Sequence, residues 1–322
     1  MKKIALIFPG YGSQFVGMGK DLYDDYRIMQ EFFEEAYSCQ NLNFVKLCFA
    51  SSDQELATMV NAFQSIFLLS SALYGLLKEL GIKPAVVAGQ DIGYYAALFA
   101  SGTISFPDGL YLLSKLASFY EKILDGADIK MIEVSGFNKT ELEKIVEKFK
   151  KDTDLAIAVY KSKNDFLVGG HLESIDQLKD FFSKIESVKV SDAPAEIGLY
   201  SDAMQEVADQ LKLYLEKVDF KDTDVPLFIV GRTGFATSGQ DIKQNLIEQI
   251  TKPFDWAQVL DELKDYDVII EVGPKSTLTE VVKKYYPEKE ILTFGNKSDV
   301  EKVKILLGEK SDKKLDPETS SG

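Results

Sequence analysis

Apolar positions fall along this chain in two rhythms, unbroken short runs and runs spaced every three or four residues. Residues 3–8 are a β-rich apolar run ending at Pro9-Gly10-Tyr11-Gly12-Ser13-Gln14. They predict a first core strand and a tight loop, read equally well as a strand-to-helix turn or as amides pointed at an anion. Helical spacing then predicts helices from Lys20 to about Ser38 and from Ser52 to Leu80, the second stopped by Gly81-Ile82-Lys83-Pro84. The run Val86-Val87-Ala88-Gly89 predicts a short strand, followed by helices over Tyr94–Ser101 and from about Pro107 to Leu124.

At Gly126 the texture changes. Strand patterns at Lys130–Val134, Leu155–Val159, Asp165–Val168 and Val188–Val190 alternate with helical patterns at Lys139–Lys151 and Ser174–Ile185. This β-α-β-β-α-β order predicts a ferredoxin-like domain inserted at 128–190. The surrounding segments, 1–127 and 191–305, form the larger unit. Within it Val225–Val230 and Val268–Val272 are near-continuous apolar runs, as expected of strands buried on both faces. Residues 306–322 are rich in Lys, Asp, Ser and Pro without periodicity and predict a disordered tail.

Composition changes this picture little. The 322 residues are 45% hydrophobic and 27% charged, ordinary for a soluble globular chain. The longest apolar stretch, Phe63 to Leu77, is interrupted by Gln64, Ser65, Ser70, Ser71 and Gly75 and reads as a buried helix, which predicts no membrane association. Met1–Phe8 imitates a signal peptide, but its apolar part is short and runs into Pro9-Gly10 without a cleavage site. Cys39 and Cys48 have no metal or redox spacing and suggest a reducing, cytoplasmic setting with no metal or cofactor. A net charge of −14 argues against a nucleic-acid partner. Lys144, Lys148, Lys150 and Lys151 are interleaved with Glu141, Glu143 and Glu147 and read as a mixed solvated helix face before a docking patch.

The chemistry concentrates at Gly89-Gln90-Asp91-Ile92-Gly93, where a strand meets a helix across a Gly-x-x-x-Gly turn. Such a turn lifts its central residue to the helix N-terminus, as in a nucleophile elbow, where backbone N–H groups stabilise negative charge. That residue is usually serine; here it is Asp91.

Several motifs in order resemble the malonyl-CoA:acyl-carrier-protein transacylases of fatty-acid and polyketide synthesis over roughly residues 3–295. Phe8-Pro9-Gly10-Tyr11-Gly12-Ser13-Gln14 with Gly17-Met18-Gly19 is similar to that family's F-P-G-Q-G-S-Q and G-M-G. Gly89–Tyr94 falls where the family has G-H-S-x-G-E, Ala158–Ser162 where it has A-N-Y-N-S, and Leu199–Met204 where it has F-H-S-x-L-M. Gln249–Trp256 resembles Q-L-x-x-P-V-x-W, and Glu271-Val272-Gly273-Pro274 the late E-x-G-P. The resemblance implies an α/β fold, with an α/β-hydrolase-like large domain around a parallel sheet and the ferredoxin-like insert. It also implies an acyl carrier protein, and an acyl-CoA, as partners.

The departures lie at the chemistry-bearing positions. Asp91 stands at the nucleophile position and Tyr200 at that of the general-base histidine. An arginine that clamps the malonate carboxylate in the family falls, counting without a gap, at Leu116. The remaining substrate-binding positions are Tyr11, Gln90, Ile92 and Gln249, of which Gln249 keeps the family's residue; Tyr94 replaces the elbow glutamate, and Val159 and Lys161 the small-domain asparagines. The sole histidine, His171, falls in the insert, away from the elbow on the family's layout, and Arg232 follows a strand, as an anion site or a surface ion pair.

Asp91 then has three readings: a nucleophile forming an acyl anhydride, a general base weakened by its position at a helix N-terminus, or an inert carboxylate that caps the helix amides and closes the oxyanion site. Two functions follow. One is a catalytically degenerate relative that binds an acyl carrier protein or acyl thioester. The other is an active acyltransferase or thioester hydrolase with altered chemistry centred on Asp91.

Overall fold

The computed structural model describes residues 2–150, 155–193, 204–229, 231–232 and 234–308. The chain begins with β1 (Ile4–Phe8), then α1 (Lys20–Asp25), α2 (Arg27–Gln40), α3 (Phe44–Ala50), α4 (Asp53–Leu56) and α5 (Met59–Glu79). The expected helix over 20–38 is two helices, broken where Tyr26 is extended (φ −120°, ψ 122°). Its periodicity reads through the break because Leu22, Met29 and Phe33 all enter the same core. The helix expected over 52–80 is likewise divided, into α4 and α5. Helix α3, too short to show a period, went unpredicted; the Asn43 side chain caps it by accepting from Lys46 N–H at 2.9 Å. Helix α5 is long and apolar enough to cross a membrane, yet 78% of its most apolar window is buried inside this protein.

Next come β2 (Val86–Gly89), α6 (Gly93–Ala100) and α7 (Phe106–Leu124), the last started by Ser105, whose hydroxyl accepts from Asp108 N–H. The insert follows as β3 (Ile129–Ser135), α8 (Lys139–Lys150), β4 (Ala156–Tyr160), β5 (Asp165–His171), α9 (Leu172–Phe182) and β6 (Lys189–Asp192). Its strands lie in the order β6-β3-β5-β4, all antiparallel to their neighbours, the ferredoxin-like arrangement. One face of this sheet carries Ile132, Val134, Phe166 and Val168 into a separate apolar cluster with Leu142, Ile175 and Leu178 from α8 and α9. The other face, bearing Met131, Val159 and Leu167, packs toward the main core.

The chain returns through α10 (Gln205–Leu215), β7 (Leu227–Phe228), β8 (Phe235–Ala236), α11 (Gly239–Thr251), β9 (Phe254–Asp255) and α12 (Trp256–Glu262). It closes with β10 (Val268–Val272), α13 (Thr279–Tyr285), β11 (Glu290–Phe294) and α14 (Lys297–Leu306). Among the described residues 225–229 of the expected strand, two are paired, as β7. Pro226 brings no N–H to a ladder, and β8 pairs back antiparallel at this sheet's end. Of the segment expected to be a tail, Leu306 ends α14, and residues 309–322 lie outside the described residues.

The large sheet runs β11-β10-β1-β2-β7-β8, parallel through its first five strands. Strands β1 and β10 are fully buried, as continuous apolar runs require. Because β1 and β2 are in register from Ala5↔Val86 to Phe8↔Gly89, the loops leaving them emerge side by side at the sheet's C-terminal edge. Sites in open α/β sheets gather at that edge.

Candidate functional site

Asp91 has φ 52°, one of two non-glycine residues in the left-handed region among the described residues. That strained conformation is the one a nucleophile elbow imposes on its raised residue. Glycines hold it there. A Cβ on Gly89 would lie 2.3 Å from the backbone of Gly93, and one on Gly10 would lie 2.6 Å from Gln90 O and 2.9 Å from Asp91 Cβ. The two loops are thus pressed together, and Tyr11 N–H donates to Asp91 Oδ2 at 3.2 Å.

This contact corrects the capping picture. At the start of α6 the amides of Gly93, Tyr94 and Tyr95 donate to the backbone carbonyls of Gln90, Asp91 and Ile92. The Asp91 carboxylate turns to the loop after β1. In an elbow site the oxyanion donors are the amide after the nucleophile and one from a neighbouring loop. Here the neighbouring-loop amide already serves a resident anion.

Two cavities meet at Asp91. The outer one, about 480 Å³, opens between the large body and the insert, with Tyr11, Gln90 and Asp91 at its polar end. Tyr11 does not fill it, since the Tyr11 hydroxyl is held on Ala57 O at 2.8 Å. Nor does Tyr94, which is fully buried and lines neither cavity. The inner cavity, about 30 Å³, brings Asp91, Ile92, Leu116 and Gln249 together with Tyr95 and Tyr120. That space suits about one water. Gln249 is turned by its own helix, donating from Nε2 to Asn245 Oδ1 at 2.5 Å.

Sequence reasoning missed Tyr95 and Tyr120. Burial, and after it the charge of Asp91, pushes both phenols above their usual range, so both remain protonated at neutral pH. Tyr95 sits four residues after Asp91, one helical turn on, which was a usable signal. Lys161, which stands at a family asparagine position, lines the outer cavity, and its Nζ pairs with Glu133 Oε1 at 2.6 Å. Tyr200 lies outside the described residues.

Neither cavity is lined by His171 or Arg232 among the described residues. His171 ends β5, exposed. Arg232 pairs with Glu248 at 3.2 Å, and its charge partly offsets the burial that raises the Tyr94 phenol.

The sequence model of the acyl transferase domain matches residues 5–316. The chain belongs to the acyl transferase domain family. It is 29% identical over 317 residues to a malonyl CoA-acyl carrier protein transacylase of Bacillus subtilis, covering 97% of this chain and 99% of that one. A crystal structure of a malonyl CoA-acyl carrier protein transacylase from Clostridium perfringens superposes with TM-score 0.89 at 23% identity, covering 95% and 97% of the two chains. A malonyl-transacylase solved in complex with its type II PKS acyl-carrier protein matches with TM-score 0.89 at 19% identity, over 95% and 99%. Likenesses of this depth show the α/β fold.

Proposed function

We propose that this acyl transferase family member has lost acyl transfer and acts as a binding subunit in fatty-acid or polyketide biosynthesis, recognising an acyl carrier protein or its thioester cargo. The carrying observation is the Tyr11 N–H bond to Asp91 Oδ2. A carboxylate already in that place repels a developing oxyanion, and Asp91 stands where the family's serine would carry the acyl group. The malonyl-CoA and carrier chemistry named for the relatives supports the choice of partner. The free thiols of Cys39 and Cys48 suit a cytoplasmic setting.

Intact-mass measurement after incubation with malonyl-CoA and other acyl-CoA thioesters is expected to show no adduct. Calorimetry with a carrier protein is expected to show a complex in the micromolar range. A covalent acyl group on any residue, or no carrier complex, removes the proposal.

The open outer cavity ending at Asp91 favours a second reading, an enzyme of altered chemistry for an uncharged acyl group. It requires thioester turnover that disappears in Asp91→Ala.

A further inference from the structure

The outer cavity is built unevenly. Its polar end is the elbow; its long wall is the cleft-side face of the insert sheet, where Val159 and Leu167 are directly opposed on β4 and β5 and Met131 follows on β3. Lys161 is the only cation lining this cavity among the described residues. The strand order β3-β5-β4 means that its bond to Glu133 spans β5. Its aliphatic stem therefore adds apolar surface, and its charge is already engaged. Trp256 lines the cavity, its indole N–H buried and without a partner among the described residues. The inner cavity, at about 30 Å³, is too small to hold an acyl chain.

From these features we infer that the outer cavity takes an uncharged, apolar acyl chain carried as a thioester, laid along Met131, Val159 and Leu167, and rejects malonyl. The inference rests on the proposed function for the thioester class alone. A malonyl carboxylate here meets Asp91 and a lysine already neutralised, and burying an unpaired charge is costly. A chain of methylenes meets a wall of its own kind.

The test uses the full protein, with decanoyl-, acetyl- and malonyl-CoA titrated by calorimetry and by fluorescence of Trp256, the sole tryptophan. Decanoyl-CoA is expected to bind at least about tenfold more tightly than malonyl-CoA, by the burial of apolar chain, and to shift the Trp256 emission. Leu167→Asn, at a half-buried position, is expected to weaken decanoyl-CoA about tenfold. Glu133→Gln, by releasing Lys161, is expected to narrow the gap between malonyl and decanoyl.

Equal affinity for malonyl and decanoyl, no binding of any acyl-CoA, or no effect of either substitution overturns the inference. Those outcomes leave the carrier-complex measurement standing, so the two ideas fail separately. A decanoyl-loaded carrier protein, compared with the CoA ester, shows which thioester the cavity serves: tighter binding of the carrier form assigns the chain to a carrier, and equal binding to the acyl group itself. Absence of a chain-length effect in both forms again overturns the inference.

Discussion

Gly93→Ala is expected to destabilise the protein by about 3 kcal/mol or more, at or beyond the upper end of overpacking effects. The added Cβ would stand 2.4 Å from Phe8 O, 2.5 Å from Pro9 O and 2.8 Å from Pro9 C. All three are backbone atoms at the end of a fully buried central strand, so no side-chain rotation relieves the clash. Relief requires α6 to move off β1, opening the elbow itself. Gly12→Ala is the control: it is also in this loop, at φ +90° but with nothing within 4 Å of its Cβ. It should cost only the left-handed strain of an L-residue, about 1–2 kcal/mol. Urea denaturation of both variants decides the matter. A Gly93→Ala loss no larger than that of Gly12→Ala would show that the close packing of loop and helix is not what holds the elbow.

Removal of the Glu271 carboxylate is the second large effect expected. This side chain is 2% exposed and accepts from Leu278 N–H (2.9 Å), Thr279 N–H (2.7 Å) and the Thr279 hydroxyl (2.6 Å). Alanine leaves these donors unpaired, at about 1–3 kcal/mol for each buried group, so Glu271→Ala should lose about 3 kcal/mol or more. Leu278 also lines the outer cavity, so ligand binding there should weaken with it.

Glu271 should also leave a pH signature. Burial pushes its carboxyl above the usual value of 4.5, and the donors from Thr279 and Leu278 only partly restore it. As pH rises from 4.5, the unfolded chain releases this proton while the folded chain keeps it. Stability from this group is therefore full below 4.5 and declines as pH rises through the higher folded value. Glu271→Gln should remove that slope, measured as denaturation midpoint against pH. An unchanged slope would mean that another group sets it.

Glycines, prolines and apolar runs made the backbone plan legible, because they act through local sterics. Gly89, Gly93 and Gly10 read as a turn, and the coordinates supply the clashes that demand them. The insert's β-α-β-β-α-β order was legible for the same reason, although β6 runs to Asp192, past the expected boundary. Short elements escaped: seven residues of α3 and two each of β8 and β9 offer no period to detect.

The site was half legible. Positions 11, 90, 91, 92, 116 and 249 reach the two cavities, Tyr11 and Gln90 the outer, Ile92, Leu116 and Gln249 the inner, and Asp91 both. The direction of the Asp91 carboxylate was not readable, because it depends on a loop eighty residues away in sequence. Lys161 escaped for a similar reason. Its meaning comes from Glu133, two strands across the sheet.

The smallest strand has a consequence for how the molecule can be divided. Phe254 and Asp255 of β9 pair in parallel with Val159 and Tyr160 of β4, and Lys139 of α8 is salt-bridged to Asp255 at 3.0 Å. The large body thereby finishes the insert's sheet and covers a backbone row that the insert alone would leave open. Expressed in isolation, residues 128–193 should self-associate through that bare β4 margin and elute oversized on gel filtration. The insert orders its own four strands, but its outer seam is stitched by its host.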